Sequence, residues 1–357
     1  MKTKITYLLI FTAAALASSC RKDKPDEPKE APKVTKGLFI LNEGGFNASN
    51  SSIDYFDYAT QKNNKNVYAA ANGATKWDVG NDIQTYGSKV YAVINNSNLL
   101  IIANATTLKS AGGVTISQPR NIAFYNGKAL ITSSDDHVYV VDTATIKIES
   151  TIKVGRDPEH LVVVGDKLYV ANSGGFDYPH YDNTVSVVDL KTFTELKKIK
   201  VDVNLSDIVA DKYGDVYVTS RGDYGAIKPN LYAIDTKTDI IKKNFNIPAG
   251  MIAVHGDNLY IINTDYSLLP PYSQVTTYKT VDVNTETLKD NFITDGSDKD
   301  FISPYGIAAD PVSGDIFIAD ATDYSGAGKV YCFGGDGKRK YSFETGVAPA
   351  HFAFFSN

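Results

Sequence analysis

The sequence predicts an all-β fold: a seven-bladed β-propeller of four-stranded blades, its ring closed by pairing of the C-terminal strand with the N-terminal strand. Three observations predict it: a hairpin segment recurring with a period near 45 residues, a second strand segment after each copy, and complementary half-copies at the two ends. At 357 residues, 43% hydrophobic and 22% charged, the chain is too apolar for disorder and long enough for one large repeat fold.

The hairpin segment reads as a polar residue, a short apolar run, a turn of Gly, Asp, Asn or Lys, and an alternating apolar run. It occupies 81 to 93, 120 to 132, 159 to 171, 206 to 219, 250 to 262 and 305 to 319. The second segment occupies 51 to 60, 98 to 107, 136 to 145, 183 to 192, 230 to 238, 278 to 287 and 328 to 337. Most copies close in Asp-x-x-Thr, whose carboxylate and hydroxyl can bond the backbone of a tight turn. Six complete hairpins stand against seven second segments. The mismatch resolves at the ends, because 350 to 357 is a first strand lacking its second and 37 to 44 a second strand lacking its first. Pairing the two removes the free edges of a linear array. The residue before each first apolar run is Asp82, Asn121, His160, Asp207, Met251, Gly306 or His351, spaced by 39, 39, 47, 44, 55 and 45. No window after Cys20 keeps apolar residues at i, i+3, i+4 and i+7, so helical repeats are excluded.

Residues 1 to 19 read as a lipoprotein signal peptide: Lys2 and Lys4, an apolar run from Ile5 to Leu16, then Ala17, Ser18 and Ser19 before Cys20. The small residues before the cysteine resemble a bacterial lipobox, with Ala17 in the place usually held by Leu. Cys20 is then the lipidated residue. Residues 20 to 36 form a tether, because 21 to 36 contain 10 charges, 3 Pro and a single Val and cannot bury enough apolar area to fold. Residues 37 to 357 are the propeller. The expected location is the outer membrane, lipid-anchored and facing the cell exterior. Cys332 falls in a strand with no partner cysteine, so no intrachain disulfide is expected.

The net charge of -5 and pI near 5.6 argue against a nucleic-acid partner. Function falls instead on loops. In an antiparallel four-stranded blade, the loop between the second and third strands opens at the same end as the loop leading into the first. The second-to-third loops swell at 42 to 52, 172 to 184, 220 to 230, 263 to 278 and 320 to 329. They carry Phe46, Phe176, Tyr178, Tyr181, Arg221, Tyr224, Tyr266, Tyr272 and Tyr324. The loops leading into the first strands add Trp77, Arg120, Arg156, Asp157 and Tyr305. Rigid aromatics with a polar handle, among Asn, Ser and Gly, suit a large ligand that is partly apolar and rich in amides or hydroxyls. The alternative is that these rings pin the loops against one another.

Asp82, Asn121, His160, Asp207 and His351 begin innermost strands and form a candidate channel ring. Such a ring could hold water or supply acid–base groups, but His160 and His351 lie about three blades apart, which disfavours a shared metal, and no metal is expected. Ser325 to Lys329 mimics a phosphate loop, yet Asp323 stands where the first Gly belongs and Val330 where Ser or Thr belongs, so it reads as a hairpin turn.

The core motifs Asn-Ile-Ala-Phe-Tyr-Asn-Gly-Lys (121 to 128) and Leu-Tyr-Val-Ala-Asn-Ser (168 to 173), with Thr-Val-Ser-Val-Val-Asp (184 to 189), resemble the YncE-like seven-bladed propellers. With the leader, the opening Gly37 to Phe46 and the Tyr-rich loops, the chain resembles the BtuG surface lipoproteins. That resemblance implies capture of cobalamin (vitamin B12) outside the cell and delivery to a TonB-dependent outer-membrane transporter. Cobalamin would be cargo rather than cofactor, and the membrane would be reached only through the lipid. Two rival classes remain open at the level of sequence. One is a propeller lactonase or lyase using His160, His351, Asp82 and Asp207; the other is a glycan-binding or scaffold surface protein.

Overall fold

In the computed structural model, which describes residues 33 to 267, 270 and 273 to 356, every sheet has four antiparallel strands and there are seven of them. Blade 1 is assembled from both ends of the chain. Pro349–Ser356 is its innermost strand, followed outward by Thr35–Asn42, Ser52–Asp57 and Lys62–Asn64. The closing register runs Leu38 against Phe354, Phe39 against Ala353 and Ile40 against Phe352, which confirms the predicted ring closure. Blades 2 to 7 follow in order over 80 to 115, 119 to 153, 158 to 200, 205 to 244, 251 to 289 and 304 to 347.

The second strand of each blade explains why its segment is so apolar. Lys89–Ile94, Lys128–Ser133, Lys167–Asn172 and Asp215–Ser220 are buried on both faces from their second residue on, because each blade is packed against a neighbour on either side. The apolar residues sort into seven clusters, one per blade interface: Phe39, Ile53, Ile83 and Ala92 between blades 1 and 2, for example, and Leu38, Phe56, Phe317 and Phe352 between blades 7 and 1. Tyr91, Tyr169 and Tyr217 repeat at one position of this strand and are wholly buried. Part of the Tyr excess therefore serves the core.

The outermost strands face solvent and carry Lys and Glu, as in Thr194–Lys200, where only Ile199 is buried. Such charges discourage edge-to-edge pairing with other chains. The Asp-x-x-Thr turns behave as expected. Asp57 Oδ1 accepts the Thr60 N–H at 2.8 Å, and Asp142 Oδ1 accepts those of Ala144 at 3.1 Å and Thr145 at 2.6 Å. Asp323 Oδ1 likewise accepts the Ser325 and Gly326 N–H groups, so the phosphate-loop mimic is a turn.

Three details differ from expectation. The first paired residue is Thr35, two before the expected start of the propeller, because its Oγ1 donates to Asp310 Oδ1 at 2.8 Å and draws it onto blade 7. A helix, Val67–Asn72, stands in the connection from blade 1 to blade 2. At six residues it is too short to leave a periodic signal. The expected loop 263 to 278 is largely strand, since Asn258–Tyr266 pairs with Gln274–Asp282 out to Tyr266 opposite Gln274. The alternation there is polar, with Thr264 and Thr276 hydroxyls 3.1 Å apart, so hydropathy concealed it. No helix among the described residues is long and apolar enough to cross a membrane.

Candidate functional site at the loop-rich mouth

Each innermost strand begins at the mouth, where the preceding loop and the second-to-third loops meet. Its first residues therefore build two layers, one from the residues before the sequence anchors and one from the anchors themselves.

The lower layer is a set of clasps between blades. Asp82 Oδ1 accepts the N–H of Ile83 in its own strand at 2.7 Å, and Oδ2 that of Ile122 in blade 3 at 3.0 Å. Asp207 repeats the arrangement, with Oδ1 on Ile208 at 2.9 Å and Oδ2 on Ile252 of blade 6 at 2.9 Å. His160 Nδ1 lies 2.7 Å from Asp207 Oδ1, joining blades 4 and 5. Burial pushes the His160 imidazole down, but the Asp207 carboxylate outweighs it and the net shift is upward. Burial likewise pushes Asp207 up, and His160 with the two backbone donors holds it below the usual carboxylate range. Burial raises Asp82. His351, on the closing strand, is pushed down to about 3 by burial first and by nearby His160, which keeps it neutral. Asn121 is buried, and its amide nitrogen has no partner among the described residues. Among those residues no group of three or more His, Cys, Asp or Glu could hold a metal ion.

The upper layer is charged. Arg120 donates from Nε at 3.2 Å and from Nη2 at 2.7 Å to Glu159 Oε2. Burial would raise the Glu159 carboxyl, but Arg120 and Arg221 hold it down to about 2. Arg221 Nη1 stays 3.8 Å from Glu159 Oε1. Across the mouth, burial raises Glu43, which is hydrogen-bonded by the Tyr305 phenol and faces Arg120. Sequence reasoning missed Glu159 and Glu43. Glu159 was detectable, since it directly precedes the His160 anchor just as Arg120 precedes Asn121, and the second ring repeats in the same register.

Above this floor stand the loop aromatics. Phe46, Phe176, Tyr178, Tyr224 and Tyr266 are 75, 74, 71, 66 and 62% exposed. Tyr181 packs edge-on between Tyr178 and Tyr224, and Tyr305 edge-on against Tyr324. Six residues expected from sequence, Arg120, Asp157, Phe176, Tyr181, Arg221 and Tyr224, line one cavity of about 310 Å³ together with Glu159 and Asn204. Tyr272 and Cys20 lie outside the described residues.

Two expected ligand contacts are placed elsewhere. Trp77 is 7% exposed and packs on Tyr68 of the short helix, ring centres 4.5 Å apart, inside the core between blades 1 and 2. A lone indole in a loop suggests a surface feature, whereas its partner Tyr68 lies nine residues back on a helix too short to leave a periodic signal. Arg156 points along the rim, not into the cavity. Its guanidinium bonds Asp177 and the His180 carbonyl, the latter at 2.6 Å, and so braces the loop that carries Phe176, Tyr178 and Tyr181. Cys332 is buried in the third strand of blade 7, its thiol pushed up to about 12 by burial, which makes it unreactive.

Comparison with known proteins agrees with this architecture. The family model described as a domain of unknown function, DUF5074, matches residues 36 to 348. No curated protein matches significantly. Among solved structures the chain is similar to hydrazine synthase of Kuenenia stuttgartiensis, at 17% identity over 76% of this chain and 88% of that one, with a TM-score of 0.64. It is also similar to a quinoprotein alcohol dehydrogenase-like protein of Bacteroides thetaiotaomicron, at 17% identity over 90% and 78%, TM-score 0.65. The WD40 domain of Neurospora crassa Pan2 follows at 11% identity over 76% and 81%, TM-score 0.56. At such identities the likeness is one of fold.

Proposed function

The chain belongs to the DUF5074 family, and we propose that its propeller is a surface lipoprotein that captures a corrinoid such as cobalamin on the loop-rich mouth. Delivery to a TonB-dependent outer-membrane transporter completes the proposal. The observation that carries it is the set of five aromatic side chains, each more than 60% exposed, at one end of the ring. Exposed aromatic side chains, several with a polar handle, gathered on loops at one end suit a binding surface. A corrin offers an apolar disc to lie on the rings and a rim of amides for the polar groups between them.

The enzyme reading is weaker for a physical reason. Asp82, Asp207 and His160, which it needs as acid, base or metal ligands, spend their hydrogen bonds clasping blades together. Glycan capture remains the second reading, because Tyr faces also stack on sugars.

Calorimetry with cyanocobalamin tests the proposal. Binding at micromolar protein is expected, and absence of heat, with heat from an oligosaccharide instead, would transfer the site to glycan capture. Metabolic labelling with palmitate tests the anchor: wild type should be labelled and Cys20→Ala should not. Added protease should reach the protein on intact cells.

A further inference from the structure

We propose that the 310 Å³ cavity between blades 3, 4 and 5 is a subsite for one primary carboxamide arm of the ligand, with Arg221 donating to the amide oxygen and Asp157 accepting from the amide nitrogen. This rests on the mouth being the capture site. The cavity is far too small for a whole corrinoid, so the ring must lie across the exposed aromatics while one side arm descends.

Most of the polar groups lining the cavity are already engaged. Arg120 and Glu159 are engaged with each other through two hydrogen bonds. Ser173 Oγ donates to the Asp157 carbonyl and accepts from Gly175 N–H. Asn204 Nδ2 donates to the Gly222 carbonyl. The Arg221 side chain makes no hydrogen bond among the described residues, and the nearest carboxylate oxygen, Glu159 Oε1, is 3.8 Å away. Asp157 Oδ2 accepts the Phe176 N–H at 3.0 Å, while Oδ1 accepts no hydrogen bond among the described residues. Among the described residues the Arg221 fork is thus without a hydrogen-bond partner, and Asp157 Oδ1, Glu159 Oε1 and Asn204 Oδ1 accept no hydrogen bond, between walls formed by Phe176, Tyr181 and Tyr224.

Charge selects what fits. Two guanidinium groups and two carboxylates balance within the cavity, which disfavours any ligand group carrying net charge. A carboxylate or phosphate would satisfy Arg221 and confront Asp157; an ammonium would do the reverse. A primary carboxamide presents an acceptor and a donor in one plane and satisfies both. Asp157 would gain from that donor, since burial first and then neighbouring Asp136 and Glu159 hold its carboxyl above the usual range. Side arms ending in primary carboxamides are the rim chemistry of a corrin.

The test is calorimetry of cyanocobalamin and of its monocarboxylic acids, each with one side-arm amide converted to carboxylate, against wild type and Asp157→Asn at pH 7.5. One acid isomer should bind wild type about tenfold or more weaker than cyanocobalamin, the cost of facing one buried charge with another. In Asp157→Asn that ratio should fall toward one, because the new amide can donate to the acid. A purely structural role for Asp157 would weaken every ligand alike and keep the ratio. Arg221→Ala removes no internal hydrogen bond, so it should fold and bind cyanocobalamin about tenfold more weakly. Equal binding of all isomers, a ratio unchanged in Asp157→Asn, or full affinity in Arg221→Ala would overturn the subsite alone. Failure of cyanocobalamin to bind wild type would overturn the capture reading and the subsite together.

Discussion

His160 Nδ1 and Asp207 Oδ1 meet at 2.7 Å across the boundary of blades 4 and 5, forty-seven residues apart in sequence. Neither belongs to a turn or a core cluster. Each occupies the same place in its own innermost strand, so the contact is a product of the repeat.

That pair sets a pH window for stability, opposed by His351. The raised His160 stabilises the fold fully below its unfolded value near 6.5 and loses that contribution as pH rises through its folded value. The lowered Asp207 contributes above its unfolded value near 3.9 and loses it as pH falls further. His351, held neutral down to about 3, destabilises the fold progressively as pH drops from about 6.5 toward 3, since the unfolded chain takes the proton first. Melting temperature measured from pH 8 to 4 should therefore fall less on acidification in His351→Asn than in wild type. In His160→Gln the loss should be largest near pH 5 to 6 and smaller at pH 8. Parallel profiles for all three proteins would refute the assignment.

Closure of the ring predicts an all-or-none cost. Truncation before Pro349 removes the innermost strand of blade 1, strips Phe352 from its cluster with Phe317, and opens edges on two elements. Loss of the cooperative calorimetric transition is expected. A truncated protein melting as sharply as wild type would show that blade 1 stands without it.

Trp77 and Phe176 should separate stability from binding. Trp77→Ala empties a buried site against Tyr68 and should cost about 3–5 kcal/mol of unfolding free energy, leaving ligand affinity near wild type in what remains folded. Phe176→Ala removes a ring that is 74% exposed, so denaturant midpoints should barely move while affinity for cyanocobalamin falls by about 2 kcal/mol. The reverse pattern would put the mouth elsewhere.

Arg156 should act through the loop it braces. With Arg156→Ala the contacts to Asp177 and the His180 carbonyl vanish, so amide exchange in 174 to 183 should accelerate while the blade strands keep their protection. Affinity should drop several-fold, as ordering the loop becomes part of binding. Exchange unchanged in that loop would leave Arg156 as a mere surface charge.

The sequence by itself determined the blade count, strand order and closure, because each rests on period-2 alternation and turn chemistry repeated seven times, which are local properties of the chain. It also placed the loop-rich end, since antiparallel connectivity alone puts the second-to-third loops and the inter-blade loops on one side. Only the tertiary structure decided which loop residues meet. Trp77 turned inward because a helix six residues long supplied Tyr68 as its partner, and Arg156 turned sideways because Asp177 and the His180 carbonyl lay within reach. Glu159 became the counterion of Arg120, 39 residues away, because both occupy the same register in adjacent blades. The pairing of Arg120 with Glu159 depends on how adjacent blades are angled about the axis, and the other two contacts on where a short helix and a loop come to rest, none of which period-2 alternation encodes.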